Sequence, residues 1–164
     1  MKLIAFVLVA VIFFLTVPAF GLNIVTKEIK FKDDPVLIQS TWAHFKEESY
    51  GKELYCWIEY KNQSDKAINA LSFRMLFYDV FNEYLDTLSG VSMDRLRPAQ
   101  LDKGKWKSNV YKDWSTHTII VFLDRVRFAD GTIWRRDELH ITKELSEVKD
   151  ILFNPEQLKE KRKK

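Results

Sequence analysis

Apolar and polar residues alternate along most of the chain beyond residue 22, and this period of two is typical of β-strands with one buried face. Valine, isoleucine, threonine and aromatic residues are concentrated in the alternating stretches. The pattern predicts strands over residues 24–31, 36–45, 54–60, 68–80, 83–88 and 117–123, with a further strand pairing across residues 128–134. The body of the chain is therefore predicted to be mainly β.

Short polar segments indicate where the strands reverse or are interrupted. Residues 79–82 predict a hairpin tip in which Asn82 takes the left-handed conformation. Asp130-Gly131 predicts a second hairpin with a type I′ turn, which needs positive φ at both central residues. Charged residues at 124–127 interrupt the apolar alternation, so a bulge or a sheet edge is expected there. Residues 96–105 are predicted to be a polar connection.

Two of the predicted strands carry informative residues on one face. In the strand 68–80 the apolar side chains share one face, and Ser72 and Arg74 lie on the other face, which is expected to be solvated. In the strand 54–60, Tyr55 and Trp57 lie on the face opposite the aliphatic residues. Aromatic residues on both faces indicate either a strand covered on both sides or a strand that borders a ligand groove.

The pattern changes to helical spacing after Asp137. Leu145, Val148 and Leu152 recur at helical intervals, with Thr142 or Asp137 as candidate N-caps. Residues 154–157 (Asn-Pro-Glu-Gln) predict a second helix start. About seven short strands followed by these helical signals predict an immunoglobulin-like antiparallel β-sandwich over residues 22–137 and a C-terminal helical extension over residues 138–164.

The first 21 residues are typical of a secretory signal peptide. Lys2 precedes an apolar run over residues 3–17, which Pro18 ends, and Ala19 and Gly21 are small residues at the expected cleavage site. The protein is therefore expected to be exported, either periplasmic or secreted. The alternative is an uncleaved signal anchor that leaves the domain tethered outside the membrane.

The net charge of +3 comes from the two ends of the chain. Without Lys2 and residues 159–164, 20 basic and 22 acidic residues remain, so the domain lacks the basic excess expected of a nucleic-acid-binding face. The basic tail has two interpretations, a solvated helix end or attachment to an anionic surface. Its cations are Lys159, Lys161, Arg162, Lys163 and Lys164.

The single cysteine, Cys56, lies in an alternating apolar stretch and is expected to be a buried, inert thiol. An exported domain with one cysteine has no internal disulfide, so its stability must come from its core. Asn62-Gln63-Ser64 is a formal N-glycosylation sequon.

Two segments carry a family resemblance. Residues 75–79 (Met-Leu-Phe-Tyr-Asp), which follow Asn62 and residues 68–71, resemble the FxLYD-type module, a small immunoglobulin-like sandwich. Residues 126–134 resemble the closing hairpin of related extracellular domains. The resemblance covers about half of the chain, residues 53–135, and implies an exported, non-catalytic accessory domain with no catalytic residues to carry over.

Residues able to support catalysis are sparse. His44, His117 and His140 show no metal-ligand spacing with one another or with Cys56, and no phosphate-binding loop or nucleophile elbow is present. No cofactor is therefore expected, and the chain is predicted not to be an enzyme. The alternative is a small extracytoplasmic hydrolase that uses acidic residues or His117.

The candidate binding residues are aromatic and basic. Trp106, Tyr111 and Trp114 lie among lysines and an asparagine, a composition used by binding surfaces, although large aromatic residues more often pack in a core. Arg135 and Arg136 are the next candidates. The expected function is an exported module that binds a protein or a cell-envelope component.

The leader can be tested by the intact mass of the protein from fractionated source cells. We expect a mass that matches a chain beginning near Leu22, in the soluble extracytoplasmic or culture fraction. A full-length mass in the membrane fraction would instead identify residues 3–17 as an anchor.

Overall fold

The computed structural model describes residues 23–49, 51–108 and 115–158. Its elements are, in chain order, β1 (Val25–Ile29), β2 (Val36–Glu48), β3 (Gly51–Asn62), β4 (Ile68–Tyr78), β5 (Tyr84–Ser92), β6 (Leu101–Ser108), β7 (Thr118–Phe128), β8 (Ile133–Arg135), helix α1 (Glu138–Glu147) and a 3₁₀ helix (Pro155–Leu158). In these described ranges, no helix is long and apolar enough to cross a membrane.

The strands form two sheets that pack face to face. The larger sheet has the order β1-β7-β4-β5, with β8 also paired to β7, and the smaller sheet has the order β2-β3-β6. The pairs are antiparallel apart from β1 and β7, which run parallel. The predicted mainly β sandwich with a short C-terminal helical extension is confirmed.

The main core lies between the two sheets, where alternate residues of each strand point inward. β4 contributes Leu71, Phe73, Met75 and Phe77, as the alternation predicts. Cys56 of β3 is buried in the same cluster, which confirms the expected buried thiol. Since β4 and β7 pair along nearly their whole length, they form the centre of the larger sheet.

A second core covers the outer face of the larger sheet. It joins residues from β4 and β7 to residues of the C-terminal segment: Leu76, Tyr78, Ile120, Phe122, Ile141, Leu145 and Leu158. The prediction that the Ser72 and Arg74 side of β4 is solvated is therefore wrong. Ser72 is 2% exposed and Arg74 9% exposed, and the guanidinium of Arg74 contacts the C-terminal segment that packs on this face.

Arg74 is compensated at both ends of its guanidinium. Nη2 lies 2.9 Å from Oδ1 of Asp124, and Nη1 donates a hydrogen bond to the carbonyl oxygen of Leu158. The pairing shifts register on β7 between Leu123 and Arg125, so Asp124 is the extra residue of a β-bulge. The bulge predicted near 124–127 is confirmed.

The two predicted hairpins form with different turn chemistry. Asn82 has φ of 64°, as predicted, and the Asp79 carboxylate accepts the backbone N–H groups of Phe81 and Glu83. In the hairpin between β7 and β8, Gly131 has φ of 87°, but Asp130 is not in the left-handed region. The type I′ prediction is wrong there, because Asp130 instead accepts hydrogen bonds from the backbone N–H and the hydroxyl of Thr132.

β6 occupies the second half of the region predicted to be a polar connection, and that prediction is wrong from residue 101 onward. Lys103, Lys105 and Lys107 form one face of β6, and Trp106 is the single large apolar residue among Asp102, Gly104 and Ser108 on the other face, so the apolar signal of a half-buried strand is weak. Of the two candidate N-caps of helix α1, Thr142 and Asp137, the structure selects Asp137, whose Oδ1 accepts the Leu139 N–H at 2.9 Å. Asn154 caps the 3₁₀ helix in the same way through the Glu156 N–H.

Two leucines of helix α1 test whether the helix packs on the larger sheet. Leu145 is fully buried and Leu139 is 79% exposed. We expect Leu145→Ala to lower the free energy of unfolding by about 2–4 kcal/mol, because it leaves a cavity against β4 and β7. Leu139→Ala should change it by less than about 0.5 kcal/mol. Urea unfolding of both variants provides the measurement, and equal effects would contradict the packing of this helix.

Candidate functional site

The outer face of the smaller sheet carries a cluster of aromatic and lysine side chains, in which the lysines, Trp42 and His44 are exposed, Trp57 is half-buried and Tyr55 is buried by its neighbours. We call it the aromatic–lysine face, and it consists of Trp42 and His44 of β2, Tyr55 and Trp57 of β3, and Lys103, Lys105 and Lys107 of β6. Strand register brings these residues together, since Trp42 pairs with Trp57, His44 with Tyr55, and Trp57 with Lys105. Within the described residues, no helix packs over this face.

The aromatic rings of this face contact one another in a continuous cluster around Trp57. The Trp42 ring is nearly parallel to that of Trp57, with centroids 5.9 Å apart. His44 stacks on Trp57 at 4.6 Å, and Tyr55 lies 5.8 Å from it. Trp42, on the edge strand β2, keeps 38% of its surface exposed. These contacts hold a group of rings in place at the protein surface.

Lys105 adds a positive charge directly against the rings. Its Nζ lies 4.3 Å from the centroid of Tyr55 and 5.1 Å from that of Trp57, within the range of a cation–π interaction. The ammonium group is therefore held at a defined position on the face while the side chain stays exposed.

The carboxylates of this face are engaged within the chain. Glu53 accepts a hydrogen bond from the Tyr55 hydroxyl at 2.7 Å and contacts Lys107 Nζ at 2.9 Å. Glu48 contacts Lys46 at 2.6 Å, and Glu59 accepts from the hydroxyl of Ser40. These acidic groups are thus neutralised or hydrogen-bonded before any partner arrives.

By contrast, several donors of the face have no acceptor. Lys103 and Lys105 form no ion pair with a carboxylate of the described residues, and the indole N–H groups of Trp42 and Trp57 form no hydrogen bond with them. The face therefore presents positive charge and hydrogen-bond donors together with apolar ring surface.

Of the residues predicted from sequence as a binding site, those that the structure describes do not belong to the aromatic–lysine face. Trp106 points from β6 toward the inter-sheet core, with its ring 5.9 Å from that of Phe73 and its Nε1 donating to the Val91 carbonyl oxygen. Trp106 therefore packs against the core, which is the more common role of a large aromatic residue, and does not face a partner from the outer surface of the sheet. Tyr111 and Trp114 lie outside the described residues, as does the basic tail, residues 159–164.

Arg135 and Arg136 differ in their surroundings. Arg135 is exposed on β8. Arg136 is 8% exposed, forms an ion pair with Asp34, and has its guanidinium 3.9 Å from the centroid of Phe31 and 4.6 Å from that of Trp134. Burial lowers the pKa of Arg136 from its ordinary value. Its contacts tie β8 to the connection between β1 and β2, and little of it is left to contact a partner.

Sequence reasoning did not identify Trp42, His44, Tyr55 and Trp57 as a cluster, although the signal was present. Tyr55 and Trp57 already indicated a second functional or covered face of β3. The antiparallel pairing of β2 with β3 places residue 42 opposite residue 57 and residue 44 opposite residue 55. Pairing the strands before ranking the aromatic residues would therefore have assembled this cluster.

Other parts of the described chain offer few groups that could bind a metal ion or act in catalysis. No group of three or more potential ligands is arranged to hold a metal ion in these parts. The ring of His117 contacts the hydroxyl of Thr118 at 3.2 Å. An open depression of about 620 Å³ is lined by residues 95–100, including Arg95 and Arg97.

The asparagine of the sequon lies in the interior of the domain and not on its surface. Asn62 is fully buried. Its side-chain amide donates to the carbonyl oxygens of Lys66 and Leu96, and its Oδ1 accepts from Ser64. In the folded domain the amide nitrogen therefore has no room for a glycan.

The hydrogen bonds of Tyr55 predict a pH dependence of stability. The hydrogen bond to Glu53 raises the pKa of Tyr55 above its ordinary value of 10.0, and burial adds to the shift. Above pH 10 the unfolded chain loses this proton and the folded chain keeps it, so stability falls as the pH rises. Between pH 9 and 12, Tyr55→Phe should lose stability less steeply than the unmodified protein. Urea unfolding across this range tests it, and equal slopes would contradict it.

Comparison with known proteins bears on the fold of the chain. No family model matches it, and no curated protein matches it. The structure of a hypothetical protein from Peptoclostridium difficile 630 is similar, with a TM-score of 0.54 over 70% of this chain and 92% of that chain. At 12% sequence identity, this similarity shows a shared fold alone.

Proposed function

We propose that this protein is an exported, non-catalytic binding module that uses the aromatic–lysine face to hold a protein or a component of the cell envelope. The observation that carries the proposal is the difference between the two outer faces of the sandwich. The C-terminal segment covers the larger sheet, whereas the smaller sheet keeps rings and lysines on its surface.

The composition of this face supports binding rather than packing alone. Exposed aromatic residues cost free energy in water and are enriched at recognition surfaces, where flat rings contribute large contact area. Trp42 keeps 38% of its surface exposed on the outer face of β2, whereas Val36 and Ile38 of the same strand face inward and are buried between the sheets. A face with ordered rings and donors without acceptors suits a partner that supplies both apolar surface and acceptors.

The absence of a catalytic role is supported by the shape of the site. The candidate residues lie on the outer surface of a sheet, whereas hydrolytic chemistry needs titratable groups that converge in a cleft. The resemblance to the FxLYD-type module supports the same proposal, because that family is exported and non-catalytic. Export itself is supported by the signal-peptide pattern of residues 1–21.

Sedimentation with isolated envelope fractions of the source cells tests the function. We expect the protein to sediment with the fraction that holds its partner, and Trp42→Ala to reduce the bound amount about tenfold. Leu139→Ala removes an exposed apolar side chain from helix α1 on the opposite side of the sandwich and should leave binding unchanged.

Two results would contradict this proposal. One is binding that Trp42→Ala and Leu139→Ala reduce equally, since the face would then have no special role. The other is the absence of sedimentation with any fraction. Thermal unfolding of both variants confirms beforehand that each remains folded.

A further inference from the structure

We infer that the partner of the aromatic–lysine face is an acidic polysaccharide of the cell surface, a polymer of sugar rings that carry carboxylates. This inference rests on the proposed function and names the chemical class of its partner. It follows from the charge of the face, from its hydrogen-bonding groups and from its shape.

The charge of the face requires an anionic partner. Its acidic residues already contact Lys46, Lys107, Tyr55 or Ser40, whereas Lys103 and Lys105 lack a carboxylate among the described residues. Among the described carboxylates of the face, Glu59 alone has a hydroxyl rather than a cation as its partner, and it lies opposite Lys103 in the strand register. The lysines without an ion pair outnumber it, so an incoming anion meets an excess of positive charge without displacing an ion pair.

The spacing of the charges favours a polymer over a small anion. Lys103 and Lys105 are two residues apart on β6, which places their Cα atoms about 7 Å apart along the strand. The face is the open surface of a sheet, so a single small anion would remain largely in water and be weakly held. A chain with repeated anionic groups can contact both lysines at once, and its affinity gains from the second contact.

The rings specify that the polymer also presents apolar surface. Trp42 lies on β2 and Lys105 on β6, two strand spacings or about 10 Å apart across the sheet. A partner that contacts both must carry apolar patches and carboxylates within this distance. Sugar rings provide C–H surface for the indoles, hydroxyl oxygens accept from indole N–H groups, and uronate carboxylates reach the lysines.

Binding to defined polymers tests the inference. Isothermal titration of the purified protein would use polygalacturonate as the acidic polysaccharide, dextran as a neutral polysaccharide, poly-L-glutamate as an acidic polypeptide, and phosphatidylglycerol vesicles as an anionic membrane. We expect polygalacturonate to bind at least tenfold more tightly than each of the other three, and to weaken as salt is raised.

Variants locate the binding on the sheet. Lys105→Ala should weaken polygalacturonate binding about threefold, and Trp42→Ala about tenfold. Lys143→Ala makes the same charge change on helix α1 and should have no effect. A variant that ends at Leu158 lacks the basic tail and should keep its affinity within about twofold. Thermal unfolding midpoints close to that of the unmodified protein confirm that the variants fold.

Several outcomes would overturn the inference. Equal binding of poly-L-glutamate or of phosphatidylglycerol vesicles would indicate an acidic protein or a membrane as the partner, and absence of polygalacturonate binding would exclude this polymer class. Loss of binding in the variant that ends at Leu158 would assign the interaction to the tail. If envelope sedimentation still depends on Trp42 while polygalacturonate does not bind, the proposed function stands and this inference fails.

Discussion

The burial of β4 and β7 on both of their faces is the constraint from which the rest of the architecture follows. Their inward residues pack against the smaller sheet, and their outward residues need a second cover. The segment from α1 to Leu158 supplies that cover, and within the described residues no second helical segment lies over the smaller sheet. In the part of the chain that the structure describes, the sandwich is consequently asymmetric, with the C-terminal segment over one outer face and no helical cover over the other.

The closure of the larger sheet includes a charge that has to be compensated. Arg74 lies beneath the C-terminal segment, where an unpaired guanidinium would be strongly unfavourable. The bulge at Asp124 brings a carboxylate to it, and the Leu158 carbonyl oxygen accepts from its other side. Because these two partners come from β7 and from the 3₁₀ helix, Arg74 fixes the position of the 3₁₀ helix on the sheet. Apolar packing of the C-terminal segment on the sheet would fix its position less strictly than these two directional contacts of Arg74.

Much of this architecture could be predicted from the sequence, because the strands of the main core alternate regularly and the hairpins and helix caps use typical residues. The type I′ turn fails because the Asp130 carboxylate bonds locally to Thr132. The other differences share one physical cause: a polar side chain in the sequence predicts a solvated position. Arg74 lies under a C-terminal segment that strand periodicity does not describe, Ser72 on the same face is also buried, and lysines hide the strand character of β6. Arg136 is similarly enclosed between two aromatic rings.

The candidate site could be predicted only in part, because it exists between strands rather than along one. Tyr55 and Trp57 are conspicuous within β3. They form a candidate binding surface only together with Trp42, His44 and Lys105, which the strand register brings beside them. Ranking aromatic residues by their polar neighbours in sequence favoured Trp106, whose side chain points to the opposite face of its strand.

The burial of Asn62 has a practical consequence for producing this protein. Oligosaccharide transfer in a eukaryotic secretory pathway acts on the sequon while the chain is still unfolded, when the amide is accessible. A sugar attached there would have to occupy the space in which the amide meets the carbonyl oxygens of Lys66 and Leu96. The choice of expression host therefore decides whether the polypeptide can reach its native state, and a host without this modification is the suitable one.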